Sequence, residues 1–243
     1  MNVNAKSSVS EGRQFSDSTT SRKKGGELFN GLSVKPSNNG FIYFSKLAEK
    51  LVPNLEGMDP NEIKEKYISS MHSGLRLQES KISGKGIFAT ENISHGTELA
   101  EFKGHLVGRE IATELQEAED FDSDYYIQVD EHHWMVDIVE EPANYFNHSC
   151  EPNAMLDPKA PLATRLLALC DIRKGEEVTY DYGTQDKDIP YSMDCRCNSS
   201  ECRGIVSSKD YLNPDFQRAR KGMFPAYIQV TLDRLNNSSS PNS

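Results

Sequence analysis

The chain has 243 residues, with 27 Lys and Arg against 37 Asp and Glu, a formal net charge of −10, five cysteines and one tryptophan. Mean hydropathy is −0.64, and no apolar run approaches the ~18 residues of a spanning helix, so no membrane partner is expected. The acidic balance argues against nucleic acid as a direct partner, since phosphate binding needs clustered Lys and Arg, and it favours a cationic one.

In chain order, residues 1–38 are rich in Ser, Thr, Asn, Gly and Lys and poor in large apolar groups. Such a segment cannot bury enough surface to offset its ordering entropy and reads as a disordered tail. Its start has no apolar core of a secretory signal. A nuclear or cytoplasmic, reducing location follows, and a bacterial effector exported without a cleaved signal fits the same pattern. Residues 39–73 read as a helical flank in two pieces. "FSKLAEKLV" ends at Pro53. The second piece opens with Asp59 as N-cap, Pro60 at N1 and Glu62 at N3, a capping box, and Ile63, Tyr67 and Met71 then form one buried stripe.

From Leu75 the texture changes to short apolar stretches broken by glycine. "GLRLQES", "GKGIFAT" and "GTELAEFKGHLV" read as strands, and "GREIATELQEAED" as one helix. "DYYIQVDEHHWMVDI" reads as a hairpin turning near Glu131-His132. "TRLLALCDI" and "EEVTYDYG" are two more strands, joined by Arg173-Lys174-Gly175. The centre is therefore mainly β with short helices. Glu114, Glu117, Glu119, Asp120, Asp122 and Asp124 carry no local basic counterweight. They read either as a solvated face or as a docking rim for a Lys- and Arg-rich segment. The last 37 residues mix helix signals with Pro214 and Pro225 and are left as a C-terminal extension, 207–243.

Cys195, Cys197 and Cys202 are spaced C-x-C-x4-C, which suits a tetrahedral zinc site lacking one ligand. Cys150 and Cys170 are the candidates for the fourth. Cys170 sits in the apolar run "LLALC", where a small hydrophobe is the default. Cys150 sits in the polar turn "YFNHSCEPNAM" and is the better ligand. A nucleophile–base pair of Cys150 and His148 is disfavoured, because neighbours two apart rarely form such pairs. Gly84 and Gly86 flank Lys85, spaced for close backbone approach to a ligand or for a turn between strands. Tyr180 and Tyr182 alternate along a strand and share one face. With Tyr125 and Tyr126 they read as core, or as an aromatic channel for an alkyl-ammonium group.

Taken together, "GKGIFA", "YYIQVD", "FNHSCEPN", "GEEVTYDYG" and "CRCNSSECRG" resemble, in order, the SET-domain family of protein lysine methyltransferases. The resemblance implies a β-clip fold of small sheets over 74–184, with a pseudoknot where the "NHSC" and "YDYG" segments meet. A post-SET zinc segment would follow at 185–206, with zinc held by Cys150, Cys195, Cys197 and Cys202. It implies S-adenosyl-L-methionine as cofactor, contacted by Gly84, Lys85, Gly86, Tyr125, Asn147 and His148. Tyr182 matches the family's catalytic tyrosine, and Tyr180 and Tyr126 would line the substrate channel. The substrate would be a lysine in a basic protein or peptide, such as a histone tail. A Tyr at position 180 implies mainly monomethylation. Asn144-Tyr145 stands where the family often has Arg-Phe, a departure expected to alter local packing and weaken cofactor binding. Two other readings stand beside this one: a non-catalytic zinc-binding interaction module, and a methyltransferase for a non-histone protein.

Overall fold

The computed structural model describes residues 59–117, 126–137 and 141–238. The 1–38 tail and the "FSKLAEKLV" piece lie outside them.

Helix α1 spans Pro60–Tyr67, and the Asp59 carboxylate accepts the backbone N–H of Asn61 at 2.7 Å, as an N-cap should. The helix is shorter than the apolar stripe predicts. Ile68 is extended, and the next amide, Ser69, donates to both oxygens of the Glu141 carboxylate at 3.1 and 3.0 Å. A carboxylate 72 residues away therefore ends the helix. Met71, expected on the helical face, instead lies in strand β1 (Ser70–Met71) opposite Ala100.

The remaining strands are short and form four small sheets. The first sheet sets β1 beside β4 (Glu98–Glu101), β10 (Arg165–Ala168) and β9 (Ala154–Leu156). A second joins β2 (Leu75–Glu79), β3 (Lys85–Ala89), β11 (Glu177–Tyr180) and β8 (Asn147–His148). The third contains β5 (His105–Gly108), β7 (His133–Val136) and β6 (Tyr126–Gln128), and the fourth pairs β12 (Ser192–Asp194) with β13 (Ile205–Ser207). The β6–β7 hairpin turns where expected, because the Asp130 carboxylate accepts the amides of His132 and His133 at 2.7 and 2.8 Å.

One pairing sets the architecture. Strands β8 and β11 run parallel, with Thr179 opposite Asn147 and Tyr180 opposite His148. The amide of Ser149 extends the contact by donating to the Tyr180 carbonyl at 3.1 Å. The two segments expected to meet thus lie side by side at the centre.

The main core contains Leu75, Ile87, Leu99, Leu156, Leu166 and Val178 from the sheets. It also takes in Phe216, Phe224, Tyr227, Ile228 and Leu232 from the C-terminal segment. That segment, unplaced by sequence, folds into α3 (Pro214–Ala219) and α4 (Ala226–Ser238) against the β domain. A second cluster buries Trp134 with Val107, Ala112, Leu115 and Ile189. Ala112 and Leu115, three apart, are the inward face of α2 (Arg109–Glu117).

Candidate active site and cysteine centre

The β8–β11 junction brings the chemical groups together. Tyr180 is buried at the end of β11. Tyr182 follows in a short 3-10 turn, Tyr182–Thr184, capped by the Asp181 carboxylate accepting the Gly183 amide. The two tyrosine rings lie 4.8 Å apart, centre to centre, and the His148 ring is 5.4 Å from Tyr182. The Tyr182 hydroxyl donates to the Phe146 carbonyl at 2.7 Å. Burial first, then the neighbouring Tyr182, holds Tyr180 well above an ordinary phenol pKa. The Tyr180 phenol therefore stays protonated and can donate.

The glycine stretch is fastened to this junction by Asn147. Its amide donates to the Lys85 carbonyl at 2.8 Å and to the Glu177 carboxylate at 2.6 Å. Glu177 also accepts from the Ser80 hydroxyl at 2.8 Å, so the carboxylate clamps the loop from both ends. This explains Gly86: a Cβ there would fall 2.1 Å from Glu177 Oε1 and 2.9 Å from Asn147 Nδ2. Gly84 takes φ +45°, a left-handed backbone that other residues resist. The Lys85 ammonium projects over the Tyr145 ring, 5.3 Å from its centre.

The Asn144-Tyr145 departure is built into the local structure. Asn144 accepts the Glu141 amide at 2.7 Å and donates to the Asp137 carboxylate. It forms one half of the capping box of the 3-10 turn Pro142–Tyr145. Desolvation, with the Glu141 carboxylate nearby, pushes the Asp137 carboxyl well above its ordinary value.

Below the junction, the sulfurs of Cys150, Cys195, Cys197 and Cys202 all lie within 4.8 Å of one another. Cys150 and Cys195 are 3.7 Å apart, close to the ~3.8 Å edge of a tetrahedron with Zn–S bonds of ~2.3 Å. Four thiols, no competing carboxylate in the cluster and this spacing fit a soft tetrahedral cation. Burial raises the Cys150 and Cys195 thiols, whereas at Cys197 the Ser199 hydroxyl and backbone amides outweigh burial and bring it down to about 6. Cys170 takes no part. It is exposed, not the buried small hydrophobe that its apolar neighbours suggest.

Asp181 joins the two halves. Its side chain is fully buried and accepts a two-bond fork from Arg203 at 2.8 and 2.7 Å, and Nε of Arg220 at 2.8 Å. Burial alone would raise its carboxyl, but the Arg203 bonds and charge outweigh that and lower it. Both guanidiniums stack on Phe216, at 4.6 and 5.5 Å.

Residues 84–183 match the family model described as "SET domain". Over those residues the chain is similar to SET domains. Similar proteins include histone-lysine N-methyltransferase set-2 of Caenorhabditis elegans, 27% identical over 66% of this chain and 11% of the relative. An H3 lysine-4 specific histone-lysine N-methyltransferase of Aspergillus fumigatus is 27% identical over 70% of this chain and 14% of its own length. Human histone-lysine N-methyltransferase 2B is 31% identical over 54% of this chain and 5% of its own. The chain therefore spans only a small part of these relatives. Among solved structures, the methyltransferase domain of human histone-lysine N-methyltransferase SETMAR aligns at 22% identity with a TM-score of 0.48, over 56% of this chain and 59% of that one.

Within residues 84–183, the structure brings together Gly84, Lys85, Gly86, Asn147, His148, Tyr180 and Tyr182 from the residues singled out by sequence. Tyr126 lies in β6 with its backbone opposite Val136. Tyr125 lies outside the described residues. Sequence reasoning missed Glu177, Asp181, Arg203 and Arg220. For Asp181 there was a signal: it sits between two alternating tyrosines, so its side chain must face the other way, into protein.

Proposed function

We propose that this chain transfers a methyl group from S-adenosyl-L-methionine to the ε-amine of a lysine in a protein substrate. The observation that supports this most is the tyrosine pair at the β8–β11 junction, closed on one side by the Tyr182 bond to the Phe146 carbonyl.

The residues fit the cofactor. Tyr145, Tyr182 and the Phe146 carbonyl offer the electron-rich surroundings a sulfonium favours. Gly84, Lys85, Gly86, Asn147, His148 and Tyr125 are its proposed contacts. The Asn147 amide is already engaged with Lys85 and Glu177, so it acts by holding the loop, and His148 contributes through its backbone. When bound, S-adenosyl-L-methionine supplies an electrophilic methyl group.

A lysine amine must be neutral to attack, yet in water its pKa is about 10.4. Tyr180, with Tyr126 proposed beside it, would line a low-dielectric channel that disfavours the ammonium form. Tyr182 is assigned positioning and electrostatics rather than general-base work, because its hydroxyl is spent as a donor to Phe146. Most of the rate would come from alignment. The Tyr180 hydroxyl leaves little room for a methylated amine, and the proposed product is mainly monomethyl-lysine.

The four-cysteine centre is proposed to hold zinc as a post-SET segment. The relatives' names and the net charge of −10 support a basic, flexible substrate such as a histone tail, in keeping with a nuclear chromatin-modifying role. Among the described residues no helix is long and apolar enough to cross a membrane.

Incubating the folded chain with radiolabelled methyl donor and core histones tests the reading. Transfer that falls by about 10²-fold in Tyr182→Phe is expected. Failure to label histones or any other protein pool would leave the interaction module as the better account.

A further inference from the structure

His148 lies between the tyrosine pair and the cysteine centre, and its two ring nitrogens serve opposite sides. Nδ1 faces the backbone amide of Tyr182 at 3.2 Å. An amide can only donate, so Nδ1 is the unprotonated nitrogen and a neutral ring carries its hydrogen on Nε2. Asp181 does not compete for Nδ1, although its Oδ1 is 3.6 Å away. That oxygen already accepts from Arg203 and Gly183, and Oδ2 accepts from Arg203 and Arg220. On the far side of the ring, Nε2 stands 3.4 Å from the Cys150 sulfur. The same sulfur faces the backbone amide of Arg203 at 3.3 Å. His148 is 3% exposed, so water cannot stand in for either partner.

We infer that the His148 side chain is a positioning residue for the metal centre: its Nε2–H donates to the Cys150 thiolate while its Nδ1 holds the Tyr182 backbone. The inference rests on reading the four cysteines as a metal centre. A thiolate that accepts two N–H bonds is fixed in orientation and its charge is partly neutralised, which tunes how firmly it grips a cation. One imidazole then joins a metal ligand to the tyrosine beside the proposed reaction centre. The sequence shows the two residues only as neighbours. It is the parallel β8–β11 pairing that turns the ring between sulfur and tyrosine.

Two substitutions separate the two nitrogens. Asn places an amide near the Nδ1 position and nothing at Nε2. Gln reaches the Nε2 position with an N–H donor. The full chain would be loaded with Co(II) or Zn(II), and two quantities read: the thiolate-to-cobalt charge-transfer band and the rate of zinc release to a coloured chelator. His148→Asn is expected to shift the band and to release zinc about 10-fold faster or more, in line with other lost outer-shell bonds. His148→Gln is expected to stay near wild type in both. An unshifted band with wild-type release in His148→Asn overturns the inference, and so does equal loosening in both variants, which would indicate lost packing. If neither wild type nor Cys150→Ser holds metal, the cysteine-centre reading itself fails and takes the inference with it.

Discussion

Arg220 and Asp181 are 39 residues apart, yet the guanidinium Nε donates to the buried carboxylate at 2.8 Å, and a second guanidinium nitrogen of Arg220 reaches the Cys150 carbonyl. One side chain from the C-terminal segment thus holds both the tyrosine strand and the cysteine turn. Arg203 brackets the same carboxylate from the cysteine-rich segment.

Removing Arg220 leaves the buried Asp181 carboxylate with one guanidinium in place of two. Arg220→Ala should lower unfolding free energy by about 3 kcal/mol, at the low end for a buried pair because Arg203 remains. Arg220→Lys should restore only part, since an ammonium lacks the fork that spans Asp181 and Cys150. Urea denaturation measures both. The carboxyl of Asp181 is held below its ordinary value of 3.8. Its stabilising contribution is therefore present above that pH and lost as the pH falls through the lower folded-state value.

Asp186 behaves oppositely. Burial raises its carboxyl from 3.8 to about 6, although the amides of Asp188 and Ile189 oppose the shift. A raised acid stabilises the fold below its unfolded pKa and loses that contribution as pH rises through the folded value. At pH 7.5 the charged group costs up to about 3 kcal/mol, at 1.36 kcal/mol per unit. Asp186→Asn keeps an oxygen for the two amides. It should raise the melting temperature at pH 7.5 and have little effect at pH 4, read by thermal scans at both values.

Cys150 and Asn147 stand three residues apart but serve different loads. Cys150→Ser should lose bound zinc, measured by metal analysis, together with methyl transfer. Asn147→Ala should free the Lys85 carbonyl and the Glu177 carboxylate, weakening cofactor binding in calorimetry while zinc stays at the wild-type ratio. Parallel loss of zinc in both would contradict the division.

Tyr182→Phe removes the bond to the Phe146 carbonyl without changing the ring. Methyl transfer should fall by about 10²-fold, as when a single oriented donor is lost, with cofactor affinity little changed. Single-turnover transfer and a binding titration distinguish the two effects.

Tyr180→Phe deletes a buried hydroxyl beside Tyr182. Product mass spectra should move from monomethyl- toward di- and trimethyl-lysine. Efficient trimethylation by the wild-type chain would sink the assignment.

The sequence by itself determined strands β2 to β7, β10 and β11, the β6–β7 turn, the glycine stretch and the cysteine set, three by their spacing and Cys150 by its polar turn. These depend on local chemistry: alternation, turn residues and spacing within a few positions. Only the tertiary structure decided where α1 stops, because Glu141 captures Ser69 from 72 residues away. It also decided that the C-terminal segment completes the core, since the apolar residues of a helix do not say which sheet they cover. Glu177 and Asp181 read as ordinary strand acids until the fold supplied their partners, Asn147 and Ser80 for one, Arg203 and Arg220 for the other. The turn "YFNHSCEPNAM" shows the division most clearly. Its residue types mark it for chemistry, but which nitrogen of His148 faces sulfur and which faces Tyr182 is fixed by a parallel strand pairing that no local pattern encodes.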